Sequence, residues 1–360
     1  MVIAEVTIYR EPVMSNVILR LPDVKRKTEV RPKECRYCQG EILQRWGRVK
    51  KPVKDTQARN VRVYRYRCCR CGRTFRHYPE GVSRADQTER LRVFAVMCWK
   101  LGLSYRGVCT ILSGLRIGLC AMTIWRDAQE QAVKLGKQKQ WKPVRVLGVD
   151  GEYVLGWGEK RPVMVAVDLG EGQPVAVGYV NEHDVQAVQR WLGPIVQRLG
   201  VSVIITDDLA LYRTVARQLN LEHQICQFHV RRWVGRTLKE LQNTVPQEWL
   251  WVVEEIKELI TDLPKDGNRR LYALWKQVAV RRGKGSDHLT PLDQLRDLLI
   301  RLSEAWENYC AFYSDPEIPW TNNGTEQVIG RMKMRARTVR GYKTWPGMQT
   351  GLMLAGTKFD

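Results

Sequence analysis

Membrane-spanning segments and export signals are missing from this 360-residue sequence. No stretch approaches the roughly 20 consecutive apolar residues that a membrane helix needs. The N-terminus has no charged start, apolar core and small-residue cleavage site in series, so secretion is not expected. A long basic amphipathic helix with a clean apolar face is also absent, which argues against a membrane partner. No internal repeat and no long low-complexity tract occur. Acidic residues are in short supply, with 38 Asp and Glu against 59 Lys and Arg and a formal net charge of +21. That excess favours a polyanionic partner, because each neutralised phosphate releases condensed counterions. An evenly solvated basic surface is the alternative, but the basic residues cluster near motifs.

Hydrophobic residues make up 44% of the chain, enough to fill the cores of two to three domains at roughly 100–200 residues each. Ten cysteines occur, four of them in two CxxC pairs. Without an export signal, this usage points to bound metal in a reducing compartment rather than to disulfides.

Residues 1–30 read as a leader of unassigned role, with possible short strands at 2–9 and 17–21. Residues 31–80 carry Cys35-Arg36-Tyr37-Cys38 and Cys68-Cys69-Arg70-Cys71. Two such knuckles supply the four thiolates that tetrahedral Zn²⁺ accepts. Cys35, Cys38, Cys68 and Cys71 are the expected ligands of a zinc ribbon, with Cys69 able to replace Cys68. The alternating run 61–67 reads as a strand, and its Arg65 and Arg67 are candidate phosphate contacts. A purely structural or dimerising ribbon is the alternative.

Residues 84–135 read as three helices, at 90–101, 104–112 and 122–135, with Ser104 as an N-cap. Thr123, Arg126 and Gln129 on the third resemble the readout face of a helix-turn-helix domain. A three-helix spacer remains the competing reading. Cys98, Cys109 and Cys120 sit in apolar settings and are expected in the core. The polar, basic segment 136–143 reads as a linker.

From residue 144 the pattern turns to strands at 144–150, 163–168 and 175–180, then helix 185–199, strand 201–206, helix 210–219 and strand 223–226. This order suits a mixed α/β sheet. Residues 230–310 have helical spacing almost throughout, and most of Trp233, Trp249, Trp251, Trp275 and Trp306 are expected in a core. Asp150 and Asp207 each end an apolar run, and Glu326 lies in a capped helix beginning near Thr321. Carboxylates in such positions are candidate ligands for Mg²⁺, a hard cation that takes oxygen donors. Asp168 also ends a run, but Gly170 and Gly172 make it a hairpin residue, and Glu152 reads as salt-bridged surface. No dedicated tyrosine or serine nucleophile motif is present.

Three ordered features resemble DDE transposases of the Mutator-like type and related bacterial insertion-sequence transposases. They are Gly148-Val149-Asp150-Gly151, then Thr206-Asp207-Asp208 followed by Cys226-x-x-His229, and finally Asn322-Asn323-Gly324-Thr325-Glu326 with a basic run after it. The resemblance covers roughly residues 144–345. It implies an RNase H-like catalytic domain at 144–229 and 311–345, interrupted by a helical insertion at 230–310 and preceded by the ribbon and the helix-turn-helix domain. It implies that Asp150, Asp207 and Glu326 hold two Mg²⁺ (or Mn²⁺) ions about 3.5–4 Å apart for DNA cleavage and strand transfer. Asp207 is favoured over Asp208 because the family pattern sets the acid directly after the strand.

His229 is expected to hydrogen-bond the scissile phosphate or a metal-bound water, while Cys226 is equally well read as structural. Arg331, Lys333, Arg335, Arg337 and Arg340 form a candidate DNA groove. The implied partners are double-stranded DNA (element terminal inverted repeats and target DNA) and at least one further copy of the chain. The implied location is cytoplasmic, with the nucleoid of a bacterium or archaeon. A non-catalytic DNA-binding regulator or domesticated transposase, or a nuclease without strand transfer, are the alternatives.

Overall fold

The computed structural model describes residues 21, 24–27, 30–139, 142–278, 290–339 and 341–358. The leader strands at 2–9 and 17–21 and Arg340 lie outside the described residues, apart from Leu21. Two compact units are present, residues 1–99 with 103–127 and residues 100–102 with 128–360.

The first unit begins with an antiparallel sheet of β1 (Leu43–Pro52), β2 (Asn60–Cys68) and β3 (Thr74–His77), with β2 in the centre. Side chains alternate along β2, and the buried parity changes midway. Val61 and Val63 pack with Val53, Ala58 and Val82, whereas Tyr66 and Cys68 pack with Cys35, Leu43 and Phe75 on the opposite face. Arg65 and Arg67 therefore continue the first face beyond its apolar cluster and are exposed.

Three helices follow, α1 (Glu89–Lys100), α2 (Tyr105–Gly114) and α3 (Ala121–Lys139). Ser104 caps α2 as expected, its side chain accepting from the Gly107 N–H at 3.0 Å. Asp127 on α3 is buried and accepts from Arg92 Nε and Gln87 Nε2, each at 2.8 Å. Cys98 is buried and Cys109 half-buried, but Cys120 is exposed just before α3, contrary to expectation. The helix α3 also runs through Lys139, so the expected linker begins later than residue 136. Lys and Gln are good helix formers, and one interior Gly costs only about 1 kcal/mol.

The second unit contains β4 (Val146–Gly156), β5 (Glu159–Asp168), β6 (Gln173–Gly178), α4 (Val185–Leu199), β7 (Val203–Thr206), α5 (Ala210–Gln218) and β8 (Glu222–Ile225). The strand order is β6-β5-β4-β7-β8, antiparallel among the first three and parallel from β4 to β8. This is the mixed α/β sheet expected from the order of strands and helices. Both faces of β5 are buried, and residue parity sorts them. Met164 and Ala166 join Leu147, Leu192 and Tyr212 in one core, while Val163, Val165 and Val167 join Val328, Met332 and Leu352 in the other.

Between β8 and the last two helices lie α6 (Gln227–Thr244), α7 (Leu250–Asp262), α8 (Gly267–Gln277) and α9 (Pro291–Tyr309). They share a core that includes Val234, Leu238, Val252, Ile256, Leu271, Leu299 and Trp306. Of the other tryptophans there, Trp251 is exposed and Trp233, Trp249 and Trp275 pack partly buried against that core. The helices α10 (Asn323–Thr338) and α11 (Trp345–Gly356) then return to the sheet. The second of these lies beyond the expected limit of the catalytic domain at residue 345.

Asp150 does not end its strand. The parallel partner β7 stops earlier, its last pair with β4 being Gly148 with Ile205. Pairing with β5 carries β4 on to Gly156.

Candidate active site

The register of β4 against β7 brings the first two acids together. Asp150 lies two residues beyond Gly148, and Asp207 lies two beyond Ile205, the paired position. Equal offsets along parallel neighbours carry both residues past the same end of the pairing. Burial, then the nearby Asp207 and Glu182 charges, pushes the Asp150 carboxyl up to about 7. Burial also raises Asp207, against a hydrogen bond from the Leu209 N–H and the attraction of His229. Asp208 points elsewhere. Its Oδ2 accepts from Arg301 Nη2 at 2.8 Å and from the Tyr309 hydroxyl at 3.3 Å. Asp207 is braced from behind, where His223 donates to the Thr206 hydroxyl at 2.9 Å and that hydroxyl donates to the Asp207 carbonyl at 2.7 Å. Burial, with Arg213 nearby, lowers His223 to about 4, so it is neutral.

Glu326 sits in the first turn of α10, and the residues before it pin that turn to β4. Asn322 is buried and donates from Nδ2 to the Val149 carbonyl at 3.4 Å, while the Thr325 hydroxyl donates back to Asn322 Oδ1 at 2.5 Å. A Cβ at Gly148 would overlap both Thr325 Oγ1 and Asn322 Oδ1. The Gly in Gly148-Val149-Asp150 is thus the space that lets α10 approach. His229, in the first turn of α6, donates from Nε2 to Glu326 Oε1 at 2.8 Å. Cys226 is fully buried and its Sγ accepts from the Asn322 N–H at 3.2 Å. Donor atoms of Cys226, His229 and Glu326 all lie within 4.8 Å of one another. Asp150, Asp207 and Glu326 do not form a group within that distance, and Glu326 is bonded to His229.

Two further groups enter the site without having been expected. Glu182 packs its carboxylate where a Cβ on Gly151 would lie. The buried Tyr212 hydroxyl donates to Glu182 Oε2 at 3.5 Å. Burial, then the Asp207 charge, raises Glu182, and burial with Glu182 holds Tyr212 protonated. Glu182 belongs to Asn181-Glu182-His183-Asp184, which reads as loop and helix cap, and Asp184 does cap α4. Glu152 forms an ion pair with Lys333.

The basic stripe on α10 is partly corrected. Thr325, Val328, Met332 and Arg335 follow helical spacing along the buried side, so Arg335 is 2% exposed and donates to Thr338 Oγ1 at 2.9 Å. Arg331 donates to the Gly356 carbonyl at the end of α11, at 2.7 Å from Nη2. Lys333 and Arg337 remain exposed.

The donor sets suit the expected metals. Partly buried carboxylates raised by that burial, with the Asp207 charge adding to the rise at Asp150 and Glu182, match a hard divalent cation. In the first unit Cys35, Cys38, Cys68 and Cys71 form one cluster, with Sγ separations of 3.8 Å (Cys35 to Cys71) and 3.6 Å (Cys38 to Cys68). Four sulfurs about 2.3 Å from a tetrahedral Zn²⁺ lie roughly 3.8 Å apart. Backbone N–H groups of Cys71 and Arg70 help to hold Cys68 down to about 7. Cys69 is exposed and outside the cluster. On α3, Arg126 is exposed and Thr123 half-buried, its hydroxyl 3.2 Å from Cys120 Sγ.

No curated protein matches the chain. Among solved structures, the catalytic core domain of BIV integrase is similar at 16% identity and a TM-score of 0.20, covering 43% of this chain and 95% of that one. The simian T-cell lymphotropic virus intasome in complex with PP2A regulatory subunit B56 gamma is similar at 18% identity and a TM-score of 0.22, covering 43% of this chain and 55% of that one. The model of the IS66 transposase family matches residues 164–350, just over half of the sequence and a span that includes Asp207, His229 and Glu326. The chain belongs to the IS66 transposase family.

Proposed function

We propose that the protein binds the terminal inverted repeats of a mobile element and catalyses Mg²⁺-dependent DNA cleavage and strand transfer. The observation that carries this reading is the shared position of Asp150 and Asp207 beyond paired residues of adjacent parallel strands, with both carboxyls raised by burial and Asp150 raised further by the Asp207 charge. Asp150, Asp207 and Glu326 hold the metal. When bound, two Mg²⁺ or Mn²⁺ ions supply an activated water or 3′-hydroxyl and charge stabilisation at the leaving oxygen. Asn322 and Thr325 fix the height of α10 over β4, and His229 orients Glu326 until metal and DNA arrive. Tyr212 keeps the Glu182 carboxylate beside the pair.

DNA contacts come from Arg65 and Arg67 of a zinc ribbon held by Cys35, Cys38, Cys68 and Cys71, from Thr123 and Arg126 of a helix-turn-helix, and from Lys333 and Arg337. Bringing two element ends together requires a dimer or larger assembly. No helix among the described residues is long and apolar enough to cross a membrane, and a cytoplasmic place beside the nucleoid follows from the substrate. The Mutator-like type is the finer reading of the same three ordered features, Gly148-Val149-Asp150, Thr206-Asp207 with Cys226-x-x-His229, and Asn322 to Glu326.

The test is incubation of purified protein with a labelled element-end duplex and Mg²⁺. Joined product supports a transposase, cutting without joining supports a nuclease, and binding alone supports a regulator.

A further inference from the structure

Cys226-x-x-His229 offers two donors, too few for a metal site, but α10 brings a third. Cys226 immediately precedes α6 and His229 lies three residues on, so both side chains occupy one side of its first turn. Glu326 arrives from α10 and closes the set, all donor atoms lying within 4.8 Å. The two helix starts are fixed to each other, with the Asn322 N–H on Cys226 Sγ at 3.2 Å and the Gln227 N–H on the Trp320 carbonyl at 3.0 Å. Sulfur, imidazole and carboxylate together are a poor set for Mg²⁺, which demands oxygen, and a good one for Zn²⁺. Donors around one tetrahedral Zn²⁺ sit roughly 3.2–3.8 Å apart. His229 and Glu326 side chains are 35% and 38% exposed, so they can rotate by that small amount and leave a fourth position to water.

We propose that Cys226, His229 and Glu326 form a binding site for a Zn²⁺-class cation, distinct from the four-cysteine cluster and from the carboxylates of Asp150 and Asp207. The cation replaces the His229–Glu326 hydrogen bond as the link between α6 and α10. Glu326 cannot serve both metals at once. On the reading that Glu326 is a ligand of the catalytic Mg²⁺, occupancy of this site withholds it and Zn²⁺ inhibits strand cleavage.

The experiment uses full-length protein stripped with chelator, reloaded with Zn²⁺ alone, freed of excess and assayed for zinc per chain. Cys226→Ser keeps size and hydrogen bonding but replaces the soft donor. It is expected to carry one zinc fewer per chain than the wild type. Glu326→Gln, at a half-exposed position where folding is not at stake, is expected to lose the same zinc. Equal zinc in all three proteins overturns the site.

In the cleavage assay with Mg²⁺ fixed, the Zn²⁺ concentration for half-inhibition is expected to rise about 10-fold or more in Cys226→Ser, each protein normalised to its own zinc-free rate. An unchanged value overturns the inhibitory role. A wild type that never cleaves defeats the transposase reading instead, while the zinc count still decides the site.

Discussion

His229 and Glu326 stand 97 positions apart in the chain, yet Nε2 of the first donates to Oε1 of the second at 2.8 Å. The bond ties the start of α6 to the start of α10 and fixes the orientation of the Glu326 carboxylate. His229→Ala is expected to lower strand-transfer rate about 10–100-fold, the usual range for a residue that orients a metal ligand. His229→Gln, which retains a donor, is expected to recover part of the loss. A Mg²⁺ titration of each variant on an element-end duplex checks this, with the midpoint rising in His229→Ala and DNA binding unchanged.

The adjacent acids separate by partner. Asp207→Asn is expected to abolish cleavage and joining while leaving duplex binding intact. Asp208→Asn weakens a pair with the half-exposed Arg301 and a contact with Tyr309, so it is expected to cost about 1 kcal/mol of stability and to spare catalysis. Urea unfolding beside the cleavage assay distinguishes the two effects.

Metal and pH are linked through Asp150. Its carboxyl titrates near 7 when folded against 3.8 ordinarily. Between those values the folded protein retains a proton that the unfolded chain has released, so the stability of metal-free protein falls as pH rises through that window. Mg²⁺ offsets the repulsion of the ionised carboxylates. Its effect on Tm is therefore expected to be larger above about pH 7 than below it. Asp150→Asn should flatten the pH slope, leaving the part due to the raised Asp207 and Glu182, and remove most of the Mg²⁺ response, as calorimetry would show.

Gly148→Ala tests the approach of α10. The added methyl meets Thr325 Oγ1 and Asn322 Oδ1, which are themselves held to β4. A loss of about 1–3 kcal/mol is expected, with catalysis falling beyond what the unfolded fraction explains. Wild-type activity in Gly148→Ala would contradict the close approach.

Chelation of zinc should loosen residues 31–80 and weaken DNA binding, read by hydrogen exchange and by titration with duplex. Cys68→Ser is expected to reproduce the effect, and Cys69→Ser to leave both unchanged, because Cys69 lies outside the four-sulfur cluster.

Much of this was legible in local pattern. The paired cysteines, the Ser104 cap, the helical stretch that shares one core, and the apolar strand before Asp207 all follow from spacing within a few residues. Glu182 was not, because its role depends on a glycine 31 positions earlier leaving room for a carboxylate. Arg335 was misread because its charge was weighed and its place on the buried stripe of α10 was not.

Residue type and periodicity alone determine which segments become strand or helix and which local donors share a face, since those depend on backbone geometry over one or two turns. Register and docking decide the rest. Only the pairing of Gly148 with Ile205 sets Asp150 beside Asp207, and only the seating of α10 on β4 delivers Glu326 to His229 and Cys226. Those choices are made by packing between elements distant in the chain, where one residue of slip would turn every side chain to the opposite face.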